Sequence, residues 1–225
     1  MIGFAFPTVA TPLIALVTDV RTAVAVLIVP NIVMDGIQLA RRGNWLRTAR
    51  RHAVLLAFGA VGMAVGTHLL VVLPGWVATL ILGCFLLAFV ALNVTGAAPR
   101  VPPGWEGRLA PVAGILAGIV GGITNVPGTP LVIFFHALGM PKDDFMRSVA
   151  LTFGLYKIMQ LVAVAFYGLL SVRLLGISLV LTAVALLSFG LGLRVQDRLD
   201  QQTFNRVVLT ALAVLGVWLV ARALG

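Results

Sequence analysis

The sequence predicts an all-α membrane protein: about eight transmembrane segments, arranged as two four-segment repeats with broken helices at the repeat centres. Three observations carry this. The 225 residues are 60% hydrophobic and only 10% charged, with a mean hydropathy of +1.09, whereas soluble domains are about 25% charged. Several continuous apolar runs exceed the ~18 residues that mark a helical span. Short matches also recur in order. Thr11-Pro12-Leu13 returns as Thr129-Pro130-Leu131 after 118 residues, Ala25, Met34 and Gly43 return as Ala150, Met159 and Gly168 after 125, and Gly66 returns as Gly192 after 126. A β-barrel is excluded, because its strands alternate over ~10 residues instead of running continuously apolar.

In chain order the apolar segments cover residues 2–18, 22–40, 53–73, 75–95, 109–138, 145–170, 174–193 and 204–224. The first is short and contains Pro7 and Pro12; the fifth is long and is interrupted by Gly121-Gly122-Ile123-Thr124-Asn125-Val126-Pro127-Gly128-Thr129-Pro130. Proline removes a backbone donor and clashes with the preceding turn, and glycine adds no helical preference. A break there leaves backbone polar groups that lipid cannot satisfy, so protein, water or a ligand must line it. Either proline-bearing segment is a candidate re-entrant or two-piece element. The repeats divide the chain into residues 1–98 and 109–225, with a cytoplasmic linker at 99–108. Four segments per half give both halves one orientation, related by an axis along the membrane normal.

The net charge of +9 points to topology rather than to nucleic acid, since no basic extramembrane domain exists to hold a duplex. The loop bearing Arg41, Arg42, Arg47, Arg50 and Arg51 is the strongest cytoplasmic marker. If every segment spans, Arg100, Arg108, Arg173 and Arg222 share its side, nine basic residues in all. Six then face out: Arg21, Lys142, Arg147, Arg194, Arg198 and Arg206. Both termini are then cytoplasmic, in a multi-pass protein of the inner membrane. His52 reads as a solvated member of the arginine loop. Trp45, Trp76, Trp105 and Trp218 lie near segment ends, as interfacial anchors do.

Polar residues at hydrocarbon depth are the functional candidates. Asn31, Asp35 and Gln38 share one face of the second segment, and Thr152, Tyr156 and Gln160 share one face of its counterpart. Lys157 follows Tyr156. A charge near the bilayer centre costs about 2.5–3.5 kcal/mol on insertion scales, so Asp35 and Lys157 each need a reason. They form a mutual ion pair that clips the halves together, or Lys157 meets an anionic substrate while Asp35 carries a coupling proton. A half-helix starting near Gly128 presents free N–H groups that attract anions, with Thr129 as its cap and Pro130 in its first turn. Thr11, Thr124 and Asn125 complete the candidate substrate site. An intramembrane enzyme would need a nucleophile–base pair or metal ligands in the spans, and neither is found: no His-Glu-x-x-His, paired cysteines, Gly-x-Ser-x-Gly or Walker loop occurs. No cofactor or metal site is read.

The run Gly114-x3-Gly118-x2-Gly121-Gly122, then Val126-Pro127-Gly128-x-Pro130, then Leu138-Gly139-x2-Lys142-Asp143, followed by Leu151-Thr152-Phe153, resembles the second-half signature of the sulfite exporter TauE/SafE-like permeases. The resemblance implies a four-plus-four helix secondary transporter for a small anion, such as a sulfur oxyanion or an organosulfonate; with no ATP-binding motif in the chain, any active transport is expected to use an ion gradient or a separate subunit. The expected partners are a small anionic solute and the lipid bilayer, and a homo-oligomer is compatible with both. A passive anion channel and a non-transporting assembly protein are the alternatives.

Overall fold

The computed structural model describes residues 2–95, 104–196 and 201–225. Ten helices run through them: α1 (Ile2–Val17), α2 (Val20–Arg42), α3 (Trp45–Arg51), α4 (Ala53–Val72), α5 (Gly75–Thr95), α6 (Glu106–Thr124), α7 (Gly128–Ala137), α8 (Lys142–Phe166), α9 (Val172–Gln196) and α10 (Gln201–Leu224). Among the described residues, six helices are long and apolar enough to cross a membrane. Two shorter apolar helical stretches are Phe6–Val17 and Val172–Ser188.

Contacts between helix ends give each helix a direction. The Arg21 guanidinium donates to the carbonyls of Leu70 (2.8 Å), Val71 (3.0 Å) and Leu73 (2.6 Å), placing the start of α2 beside the end of α4. It satisfies carbonyls that the end of a helix leaves without donors. Arg222 does the same for α1, donating to Ala15 O (3.1 Å) and Leu16 O (2.8 Å). His68 near the end of α4 bonds Tyr167, just beyond α8, at 3.0 Å. These contacts define one end of the bundle, marked by Asp19. That residue caps α2 through Thr22 N (3.0 Å) and Thr22 Oγ1 (2.6 Å). Burial alone would raise the Asp19 carboxyl, but the Thr22 bonds, the Arg21 amide and the Arg21 charge outweigh it and hold it below the ordinary range.

The opposite end carries the arginines. Arg51 and Glu106 pair at 3.3 Å, His52 bonds Ser148 at 3.0 Å, and the rings of His52 and Phe135 lie 5.0 Å apart. The starts of α4, α6 and α8 and the last turn of α7 therefore meet at this end. So α6 climbs from the arginine end, the chain turns over at residues 125–127, and α7 descends again.

This geometry corrects the expected topology. Of the two alternatives for residues 109–138, the contacts favour a helical hairpin that returns to the arginine end over two pieces of one span. Every helix after α7 consequently runs opposite to the expected sense. Lys142 and Arg147 lie at the arginine end, whereas Arg173 and Arg222 lie at the Asp19 end, so the start of α1 and the end of α10 lie at opposite ends of the bundle. The expectation of a second break, at Pro12, also fails. Helix α1 is continuous with Pro7 and Pro12 inside it. Membrane helices carry proline where neighbours satisfy the freed carbonyls, and Thr8 and Thr11 lie buried on that stretch.

Packing is closest between α4 and α6, which run parallel with their glycines in contact. A Cβ on Gly118 would stand 2.3 Å from Gly59 O, and one on Gly66 would stand 2.3 Å from Ile119 O. Lipid tails supply no hydrophobic drive between helices, so small residues that admit backbone contact are what hold such a pair. Elsewhere α5 packs on α10, and α2 packs on α8, α9 and α1. Two apolar clusters result. One contains Val20, Leu70, Leu82, Ile123 and Val126; the other, toward the arginine end, contains Leu55, Leu131, Phe135 and Tyr156. Ile123 and Val126, on either side of Asn125, both belong to the first cluster.

Candidate functional site

Helix α6 ends because Asn125 takes a left-handed conformation (φ 66°) and Pro127 follows two residues later. Asparagine tolerates that region better than most non-glycine residues. Thr124 closes the turn: its hydroxyl donates to Val120 O at 2.7 Å and accepts from the Val126 amide at 3.2 Å. Pro127 folds back against Gly121, where a Cβ would meet it at 2.7 Å. Pro127 stands at the cap position of α7, so Thr129 lies inside the first turn and is not the expected cap. The side chain of Thr129 lies outside the described residues. The Gly128 and Thr129 amides have no intrahelical acceptor, and Pro130 has no amide to offer.

Around the turn lies a fully buried polar network. The Lys157 ammonium donates to Asn125 O at 2.7 Å, to Asn125 Oδ1, and to Gln160 Oε1 at 2.9 Å. Asn125 Nδ2 donates to Thr11 Oγ1 at 3.1 Å. Gln160 Nε2 donates to Gly121 O at 3.2 Å and Gly122 O at 3.1 Å. Thr11, Asn125, Lys157 and Gln160 each have 0% exposure. The structure thus brings together five of the sequence candidates: Thr11, Thr124, Asn125, Lys157 and Gln160.

Asp35 and Asn31 stand on α2, facing α8. The Cβ of Asp35 is 3.6 Å from where a Gly154 Cβ would be. Both residues are buried, at 4% and 2% exposure. Among the described residues Asp35 makes no ion pair within 4.0 Å, so the first of the two alternatives for Asp35 and Lys157, a mutual clip, is not a direct contact. Both side-chain polar atoms of Asn31 are buried without a hydrogen-bond partner. An orphaned amide of this kind costs about 1–3 kcal/mol and calls for a reason.

Tyr156 is not part of the network. Its hydroxyl donates to Leu55 O at 3.1 Å, over Gly59, and braces α8 against α4. Its matched position with Asn31 does not bring it to the polar centre. Sequence reasoning also missed the acceptor role of the Gly121 and Gly122 carbonyls and the small Gly154 opposite Asp35. Only a helix-face analysis that includes backbone atoms would have found them.

His52 departs from the solvated reading. It is 3% exposed, wedged between Ser148, Phe135 and Glu106, the last at 3.7 Å. Burial, reinforced by Arg51 and opposed by Glu106, pushes its pKa down from 6.5 to about 4. The unfolded chain therefore binds the extra proton first. The stability His52 contributes is complete above pH 6.5 and is lost as pH falls from there through about 4. Melting temperature in detergent is expected to drop across that window, and His52→Gln to flatten the drop. An identical slope in both proteins would remove His52 as the cause.

A family model described as "Sulfite exporter TauE/SafE" matches residues 1–219. The chain belongs to the TauE/SafE family. TauE/SafE proteins are membrane transporters of sulfite and related sulfur anions, so this member is a multi-pass transporter-family protein rather than a member of an enzyme family, and its solute class is a small anion. No curated protein and no solved structure matches the chain.

Proposed function

We propose that this TauE/SafE protein is a proton-coupled permease of the inner membrane for a sulfur oxyanion or an organosulfonate, with its site where α2 crosses α8 beside the α6–α7 turn. The observation that carries the reading is Asn31. It is an amide buried in mid-helix with no hydrogen-bond partner among the described residues, one turn from the Asp35 carboxyl, which makes no ion pair within 4.0 Å among them. Asn31 and the first-turn amides of α7 supply donors for the anion, and Asp35 carries the proton. Ionisable groups in spans mark such relays. Lys157 supports the site from behind, because its three N–H donors already have protein acceptors.

Helix directions support an internal repeat of a different kind from the one expected. The residue matches pair α1 with α7, α2 with α8 and α4 with α9, and chain order then sets α5 against α10. Each pair runs in opposite senses, so the two units are inverted about an axis in the membrane plane, a common transporter plan that puts the site at the repeat interface. Helix α6 is then a connector. The same directions sharpen the charge asymmetry. At the arginine end lie Arg41, Arg42, Arg47, Arg50, Arg51, Arg108, Lys142, Arg147, Arg194 and Arg206, against Arg21, Arg173 and Arg222 at the other. That supports a cytoplasmic arginine end.

The test is sulfite uptake into proteoliposomes under an imposed pH gradient. Wild type is expected to accumulate sulfite and to show counterflow. Asp35→Asn is expected to lose gradient-driven accumulation to background while keeping counterflow. Undiminished accumulation by Asp35→Asn would remove the proton role, and uptake without trans-stimulation would make the protein a passive pore.

A further inference from the structure

The Lys157 ammonium is held in the manner of a bound metal ion. Three oxygens converge on it: one is a main-chain carbonyl, and the two side-chain oxygens are each fixed by an independent bond of their own amide. Asn125 O belongs to the residue that ends α6. Asn125 Oδ1 faces the ammonium because Nδ2 of the same amide is committed to Thr11. Gln160 Oε1 faces it because Nε2 is committed to Gly121 O and Gly122 O. Both amides are therefore oriented by their donors. The oxygens would remain pointed at one spot if the lysine were removed.

The electrostatics of that spot favour a cation. The C-terminal end of α6 carries about half a negative charge from its aligned peptides. The oxygens themselves are neutral, and there are three. A divalent ion takes six or more ligands, with carboxylates among them. This set suits a monovalent ion, completed by water in the space that the lysine stem now fills. Unwound carbonyls and half-helix ends of this kind are where gradient-driven transporters bind a coupling cation.

We propose that Lys157 is the resident cation of a monovalent-cation site built from Asn125 and Gln160, so that the protein needs no bound sodium or potassium, and that shortening Lys157 converts the same oxygens into a sodium site. The consequence for coupling rests on the transport reading above; the cation site does not.

The test is thermal unfolding of purified protein in sodium, potassium or choline chloride at equal ionic strength. Wild type is expected to melt at one temperature in all three. Lys157→Ala is expected to melt lower in choline, and to rise saturably with sodium by about 3–6 °C when sodium is at ten times its Kd. Lys157→Met fills the space with an apolar chain and is expected to show no cation preference. Should Lys157→Ala not fold, Lys157→Ser, which leaves a hydroxyl for water, is read in the same way. Three results overturn the proposal: a truncated variant indifferent to the cation, a wild type that sodium stabilises as much as the variant, or a methionine variant that responds equally. In vesicles, anion counterflow by wild type is expected to persist when choline replaces sodium, and counterflow by Lys157→Ala to require sodium. Absence of anion movement in wild type would refute the transport reading and leave the melting result to decide the cation site.

Discussion

Replacing Gly118 with leucine is expected to abolish the folded protein. At this position α6 lies backbone to backbone on α4. A Cβ would stand 2.3 Å from Gly59 O, 2.6 Å from Met63 N and 2.8 Å from Gly62 C. None of these atoms is the end of a flexible side chain, so relief requires the helices to move apart. Neighbouring contacts resist that movement. Gly62 meets Ile115 O at 2.5 Å and Gly122 meets Thr67 N at 2.6 Å in the same sense, so separation at one level opens the whole seam. Over-packing of ordinary cores costs about 1–3 kcal/mol, and alanine at 118 should reach the top of that range. Leucine should leave no monodisperse peak in size-exclusion chromatography. Gly36 is the control, since nothing lies within 4 Å of its would-be Cβ. Gly36→Ala should be neutral or gain up to about 1 kcal/mol from helix propensity. A Gly118→Leu protein with wild-type melting would refute the packing of α4 on α6, and with it the direction assigned to α6.

The second large effect is expected at Asn125, which serves the fold in two separable ways. Its backbone is left-handed, which costs alanine about 1–2 kcal/mol and glycine almost nothing. Its side chain accepts from Lys157 and donates to Thr11. A bond to a charged group is worth about 1.5–3 kcal/mol, and losing it leaves a buried ammonium one acceptor short. Asn125→Gly removes only the side chain; Asn125→Ala removes the side chain and strains the turn. Melting temperatures are therefore expected to fall in the order asparagine, glycine, alanine. The alanine variant should melt roughly 10 °C below wild type at about 2–4 °C per kcal/mol for a chain of this size. Equal melting of the glycine and alanine variants would show that the turn conformation carries no strain. An alanine variant as stable as wild type would show that the network around Lys157 is not structural.

Much of the candidate site's arrangement was legible in the residues. The interruption was visible because glycine and proline act on the backbone locally, whatever surrounds them: helix α6 does end at Thr124 and α7 does begin at Gly128. Asn31, Asp35, Lys157 and Gln160 were visible because a polar side chain in an apolar run must be buried or unstable, and all four are buried. The same local logic failed at Pro12. There the helix continues, because the outcome depends on whether neighbours satisfy the freed carbonyls and not on the proline itself. Tyr156 was misplaced for a related reason. Helical spacing assigns a face, but a phenol reaches several ångströms and settled on Leu55 O across the α4 interface.

By itself, then, the chain determined that it lives in lipid, where its regular backbone stops, and which polar groups are buried. It did not determine which way the chain leaves the interruption. Hydropathy reads the same for a helix traversed upward or downward, and Pro127 breaks α6 equally well before a continuation or a reversal. Only the tertiary contacts of Phe135 with His52, and of Ser148 with His52, show that α7 returns to the arginine end. That one reversal inverts every later helix, places α2 and α8 in opposite senses, and gives the Lys157 ammonium the end of α6 as its partner in place of Asp35.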